Sequence, residues 1–188
     1  MRVMPGKNLT YKFYFDDFPI ITRNSLWDDL GPVQNKIYVV QTADQVIQRC
    51  ILMTSDPSDL IFDPTCGSGT TAYVAEKWGR RWITCDSSRV ATTLTRQRLM
   101  INFFKYYKLA HPEIGINGNF EYNSISHLTI GQVSKGDPPK IEILYDRPKI
   151  NNSITRISGP FTVESVPSPT VKSIDVLSEE SNQDTSQN

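Results

Sequence analysis

The chain is poor in the groups that announce several common functions. It has two histidines and three cysteines, Cys50, Cys66 and Cys85, and no Cys-x-x-Cys. That supply argues against a zinc site, which draws close-spaced ligands of these types. The odd cysteine count lacks a framework spacing and no secretory leader is visible, so a reduced, cytoplasmic setting is expected. No apolar run is long enough to cross a bilayer, and no membrane partner is expected. Charge of one sign is missing too: Lys+Arg and Asp+Glu are both 20. There is no global basic field of the kind that marks a nucleic-acid binder, although a local cleft can be basic on a neutral protein. No Gly-Lys-Ser/Thr follows the glycines at 67 and 69, which excludes a phosphate loop.

What is present suits one domain of ordinary size with an appendage: 188 residues, 38% of them hydrophobic. Residues 1–36 mix aromatics with turn formers, as in "YKFYFDDFPIITRNSLWDDLGP", and read as the end of something larger. Residues 37–112 carry a helix–strand–helix–strand–helix pattern. In "TADQVIQRCILMT", Thr42 and Gln45 fit a capping box, with Val46, Ile47, Cys50 and Ile51 on one face. Asp56-Pro57 ends that helix. "DLIFD" is a short buried strand, Ser68–Trp78 a helix closed by Gly79, and "RWITCD" a second strand. Ser87 or Ser88 caps a long helix bearing Val90, Ala91, Leu94, Ile101 and Phe104. Residues 113–176 turn to Gly, Asn, Ser and Pro with β-like runs such as "KIEILYD" and "GPFTVESV", and 177–188 read as a disordered tail.

The turn between the two strands carries the chemistry. Gly67-Ser68-Gly69-Thr70-Thr71-Ala72 satisfies the loose dinucleotide fingerprint, with Asp86 at the distance of a ribose partner. Alone that signal is weak, since many such turns merely join a strand to a helix. Asp63 and Pro64 discriminate. A dinucleotide site brings glycine directly off the strand so that pyrophosphate meets bare backbone. A carboxylate there repels pyrophosphate and suits a ligand with an ammonium, a sulfonium and hydroxyls, which is S-adenosylmethionine. On this reading Asp63 faces the cationic end, Gly67 and Gly69 permit close approach, and Asp86 accepts the ribose hydroxyls. Asp86 is also placed to favour the dipole of the following helix.

The stretch "DLIFDPTCGSGTTAYVAEKWGRRWITCDSSRVATTLTRQRL" resembles the amino-group DNA methyltransferases, most closely the adenine-N6 enzymes related to type III restriction systems. The likeness extends upstream through "SLWDDL" and "YVVQTADQVIQRCILMTSDP", and more loosely downstream into "YDRP" and "GPFTVESV". It implies an α/β, Rossmann-like S-adenosylmethionine-dependent fold, here incomplete, with a β-rich C-terminal extension. It implies S-adenosyl-L-methionine as cofactor and DNA as partner. Asp63, Pro64, Gly67, Gly69 and Thr70 become the cofactor loop and Asp86 the ribose carboxylate. Gln41 and Thr42 fall where the family places a segment near the methionine carboxylate, although many members have Gln-Lys-Pro where this chain has Gln41-Thr42-Ala43.

Methyl transfer to an exocyclic amine also needs an extruded base held by hydrogen-bond acceptors. The family uses Asp/Asn/Ser-Pro-Pro-Tyr/Phe after a buried strand, the aromatic stacking on the base. This chain has no such tetrapeptide. Asp137-Pro138-Pro139-Lys140 lacks the aromatic and follows "GQVSKG", a turn-like run, so it reads as a decoy and no catalytic residue is assigned. One arrangement of the family places the catalytic segment before the cofactor loop. The expectation is therefore a cofactor-binding half that needs an upstream methyltransferase half or partner subunit: a truncated product, a split subunit or a relic. The alternatives are a non-catalytic S-adenosylmethionine-binding module and, opposed by Asp63, an NAD-dependent oxidoreductase. Arg80, Arg81, Arg96 and Arg98 are candidates for DNA phosphates or for a solvated helix end. Trp78 and Trp82 read as packing, the "FFKYY" aromatics at 103–107 as base stackers or, more often after a long amphipathic helix, as core, Cys66 as a nucleophile in appearance only, and His111 and His127 as isolated.

Overall fold

The computed structural model describes residues 24–33, 36–127 and 129–166. The first stretch of the chain through residue 23 and the tail from 167 lie outside the described residues, and with them the expectations for "YKFYFDDFPI" and for 177–188. The architecture is mixed α/β. Elements run α1 (Asp44–Thr54), β1 (Leu60–Asp63), α2 (Thr70–Lys77), β2 (Arg81–Thr84), α3 (Arg89–Ile101), β3 (Phe104–Tyr107), a 3-10 turn (Gly115–Gly118), β4 (Tyr122–His127), α4 (Ile130–Lys135), β5 (Lys140–Pro148) and β6 (Ile150–Arg156).

β1 and β2 pair in parallel, Leu60 opposite Arg81 through Asp63 opposite Thr84, with α2 as the crossover. Parallel strands cannot be joined by a tight turn, so the connection takes the length of a helix. α2 ends because Gly79 adopts φ 70°. The Arg80 amide donates to Ala75 O at 2.8 Å and the Gly79 amide to Glu76 O at 3.2 Å, which together satisfy the last carbonyls of the helix. A side chain at 79 would also strike Phe120, 2.6 Å from its Cβ. α2 is the hub of the core, in which Ile51, Val74, Ala75, Trp78, Tyr107 and Phe120 are buried together. Truncating Trp78 to alanine would remove the centre of that cluster at a cost of about 3–5 kcal/mol.

The remaining strands pair antiparallel, β3 with the distant β6 and β4 with its successor β5. An aromatic chain ties them to α2: Trp78–Tyr107 at 5.5 Å, Tyr107–Phe120 at 5.3 Å, Phe120–Tyr122 at 6.4 Å and Tyr122–Tyr145 at 5.1 Å between centroids. Phe104 and Tyr107 are buried, as the packing reading of "FFKYY" expects, whereas Phe103 is exposed.

Several local expectations are corrected. Thr42 and Gln45 form no capping box; the N-cap of α1 is Ala43, without a side-chain hydrogen bond. The capping box occurs instead at Thr129 and Gln132, which turns "GQVSKG" into α4. α3 ends at Ile101, and Phe104 belongs to a strand. Its inward face is Ala91, Thr95 and Leu99, while Val90 and Ile101 are exposed. The chain divides into two compact units, Met1–Ser158 and Gly159–Asn188. Within the second, "GPFTVESV" forms no strand over residues 159–166, and Pro160 offers no N–H to a ladder. Among the described residues no helix is long and apolar enough to cross a membrane.

Candidate cofactor site

The site gathers at the carboxyl ends of β1 and β2. β1 ends at Asp63, whose Oδ1 accepts the Thr65 amide at 2.9 Å, a local turn that carries the chain past Pro64. The backbone then continues the parallel ladder: the Cys85 amide donates to Asp63 O at 2.9 Å and the Cys66 amide to Cys85 O at 2.8 Å. Gly67 and Gly69 both lie in the left-handed region, at φ 50° and 72°. Gly69 is the N-cap of α2, and a Cβ there would lie 2.6 Å from Thr95 Cγ2. Glycine is required by the backbone and by the close approach of α3. At Gly67 the Cβ direction points at the Tyr38 ring, 3.5 Å away, and at Val40 O, 3.8 Å away.

Asp86 is held on both oxygens. Oδ2 accepts the Gly67 amide at 2.9 Å and Oδ1 accepts the Ser88 amide at 2.8 Å. Ser88 caps α3. The two backbone donors, Ser88 first and Gly67 second, hold the carboxyl below the usual carboxylate range. Asp86 is therefore ionised at neutral pH, fixed in orientation, and retains acceptor capacity for further donors, since a carboxylate offers about four lone-pair sites.

Thr70 is buried, its Oγ1 3.0 Å from Ser68 Oγ and 3.1 Å from Arg98 Nη1. Its hydroxyl serves the turn's own network. Gln41 Oε1 accepts the Ile37 amide at 3.0 Å, folding 37–41 back on itself beside the glycine turn, and Thr42 is exposed. The structure thus brings Asp63, Gly67, Gly69, Thr70 and Asp86 into one hydrogen-bonded unit, with Pro64 exposed beside it and the 38–41 segment next to Gly67.

The other candidates resolve differently. Cys66 is buried, 3.4 Å from Thr95 Oγ1, and burial pushes its thiol pKa up, away from nucleophilic thiolate. Arg80 is neither solvated nor on a DNA-facing surface. It is buried, and its guanidinium holds Ser55 O, Ser55 Oγ and Trp78 O between the ends of α1 and α2. Arg98 is likewise turned inward, while Arg81 and Arg96 are exposed. Neither histidine is isolated: His111 Nδ1 lies 3.3 Å from Glu113 and His127 Nδ1 3.3 Å from Glu142. Asp137, Pro138, Pro139 and Lys140 are all exposed after α4. Among the described residues no group of His, Cys, Asp and Glu could hold a metal ion.

Sequence reasoning missed Tyr38 and Thr95, and gave Arg98 to DNA phosphates or a solvated helix end. Thr95 had a readable signal, because Ala91, Thr95 and Leu99 recur every four residues. Tyr38 had none.

A family model described as DNA methylase matches residues 6–97, which contain Gln41, Thr42, Asp63, Pro64, Gly67, Gly69, Thr70 and Asp86 but not Arg98. The chain is 54% identical over 56 residues to the type II methyltransferase M1.MboII of Moraxella bovis, covering 30% of this chain and 22% of that protein. The type II methyltransferase M2.DpnII of Streptococcus pneumoniae is 39% identical over 59 residues, 31% of this chain and 22% of that protein. M.EcaI of Enterobacter cloacae, a type II methyltransferase, is 27% identical over 95 residues, 48% of this chain and 21% of that protein. The chain therefore spans about a fifth of the length of these curated relatives.

Proposed function

We propose that this chain is the cofactor-binding part of an S-adenosylmethionine-dependent DNA adenine-N6 methyltransferase, with a Rossmann-like α/β unit over 37–112. The observation that carries the reading is Asp86, an ionised carboxylate fixed by the Gly67 and Ser88 amides one strand away from Asp63. Two carboxylates at adjacent strand ends oppose pyrophosphate and suit a ligand with a cationic end and ribose hydroxyls. The bound cofactor would supply an electrophilic methyl group. Asp86 would accept ribose hydroxyls, Asp63 would face the cationic methionine end, and Gly67 and Gly69 would give close backbone approach. Pro64 and Thr70 would hold the turn, and Gln41 and Thr42 would lie toward the methionine carboxylate.

We further propose that catalysis needs a second half, a preceding segment or a separate subunit, that supplies the base pocket. Support comes from the β1–β2 sheet. Leu60, Phe62 and Ile83 share one face of it and are exposed at 51%, 62% and 51%, whereas parallel sheets are ordinarily covered on both faces. Residues 1–36 would then be the remnant of that larger domain, 113–176 a β-rich extension, and 177–188 a tail. Calorimetry with S-adenosylmethionine and NAD tests the cofactor. A methyl-transfer assay with and without a supplied N-terminal half tests the division of labour, and separates this reading from a non-catalytic cofactor-binding module. Binding of NAD without response to S-adenosylmethionine would sink the cofactor assignment.

A further inference from the structure

We infer that Arg98 is a positioning residue that sets the spacing between the glycine turn and the start of α1. These two segments flank the proposed cofactor, and the inference rests on that cofactor reading for its functional meaning. Arg98 stands one residue beyond the matched segment. Its side chain is 11% exposed, although it projects from the last turn of a helix. Nη1 donates to Ser68 O at 3.3 Å and to Thr70 Oγ1 at 3.1 Å. Nη2 donates to the Asp44 carboxylate at 3.0 and 3.2 Å. The guanidinium lies over the Tyr73 ring, 4.4 Å from its centroid. One planar fork thus touches α1, the glycine turn and the first turn of α2.

This place is costly for a cation. The N-terminus of α2 carries the positive end of its dipole, which repels Arg98. Asp44 in the first turn of α1 compensates, and the charge-assisted pair closes the gap between Gln41-Thr42 and Gly67–Thr70. A lysine ammonium keeps the charge but cannot span the three acceptors in a plane. Arg156 offers an internal contrast. It also bridges to α2, donating to Glu76 Oε1 and Glu76 O, but at the far end of the helix and without contact to the turn.

The experiment compares Arg98→Lys, Arg98→Ala and Arg156→Lys in the full chain. Three quantities are read: ligand-free hydrogen exchange of the amides at 67–71, the melting temperature, and calorimetric affinity for S-adenosylmethionine. Arg98→Lys should speed exchange at 67–71 and weaken binding by about tenfold, the scale of one lost charge-assisted hydrogen bond. Arg156→Lys should lower the melting temperature and leave the turn's exchange and the affinity unchanged. Asp44→Asn should reproduce the Arg98→Lys effect and add little to it. Unchanged exchange at 67–71 in Arg98→Lys overturns the inference, as does loosening spread evenly through the chain. Faster exchange confined to the turn, with a wild-type chain that binds no S-adenosylmethionine, keeps the positioning role and removes the cofactor reading.

Discussion

The Asp86 carboxylate accepts the Gly67 amide at 2.9 Å, so the end of β2 holds the turn that leaves β1. The contact would let one acidic residue serve the fold and, in the cofactor reading, the ligand as well. The Gly67 amide is fixed, and the carboxylate that fixes it is left pointing where β1 and β2 end. In the cofactor reading, Asp86→Ala removes the ribose acceptor and frees the Gly67 amide. We expect affinity for S-adenosylmethionine to fall ten- to hundredfold, or about 1.5–3 kcal/mol, by calorimetry. An unchanged affinity would remove Asp86 from the site.

The same hydrogen bonds give a pH dependence of stability. Asp86 has its pKa lowered in the folded chain by the Ser88 and Gly67 amides. A carboxyl with a depressed folded-state pKa stabilises the fold above its unfolded value and loses that contribution as pH falls through the folded value. The window lies below about pH 4, the ordinary carboxylate value. Wild type should therefore melt above Asp86→Asn at neutral pH, and the gap should narrow as pH falls below that value. A gap that stays constant down to pH 2 would contradict the assignment.

The glycine turn was legible because backbone chemistry left little choice. Asp63-Pro64 ends a strand, two glycines take φ values that side chains resist, and Gly79 closes the helix with the expected hydrogen bonds. The inward face of α3 was misread for a physical reason. The inward face is the i, i+4, i+8 row Ala91, Thr95 and Leu99, with polar Thr95 against Gly69, so the row that packs is not the most hydrophobic one and Val90 and Ile101 lie off it. The β3–β6 pairing was not legible either, because its partners lie far apart along the chain, and the β4–β5 pairing is interrupted by α4, which the sequence reading took for a turn. Arg80 and Arg98 looked like surface cations, since nothing in a helix-end arginine announces the carbonyls it will hold.

Burial also separates the three cysteines. Cys66 is buried beside Thr95 with its thiol pKa pushed up by desolvation, whereas Cys50 and Cys85 are exposed. Iodoacetamide at pH 8 on the native chain should label Cys50 and Cys85 and spare Cys66, which reacts only after denaturation. Rapid modification of Cys66 in the folded chain would show that the glycine turn opens freely.

Asp137 should contribute nothing to methyl transfer. It sits in an exposed loop after α4, its amide donates to Gln132 O, and no stacking aromatic follows Pro139. In a reconstituted enzyme Asp137→Ala should leave turnover close to unchanged. A loss beyond about a hundredfold, the scale of a group acting in the transition state, would make it catalytic.

The isolated chain should not methylate DNA, and the reason is visible in its sheet. The turn, Asp63 and Asp86 form one hydrogen-bonded unit, which in the cofactor reading would hold S-adenosylmethionine. Base extrusion and stacking in the family use an Asp/Asn/Ser-Pro-Pro-Tyr/Phe tetrapeptide, and this sequence has none. The β1–β2 sheet presents Leu60, Phe62 and Ile83 to solvent, and neither strand has a second neighbour among the described residues. An uncovered apolar face next to an unpaired edge favours association. Phe62→Ser with Ile83→Thr should therefore make the isolated chain more monodisperse by light scattering while leaving cofactor affinity unchanged. The same pair should abolish adenine-N6 methylation restored by a supplied N-terminal half, because that half would cover this face. Methylation by the highly purified chain alone would refute the division of labour. Restored activity that is indifferent to the double substitution would place the second half elsewhere on the fold.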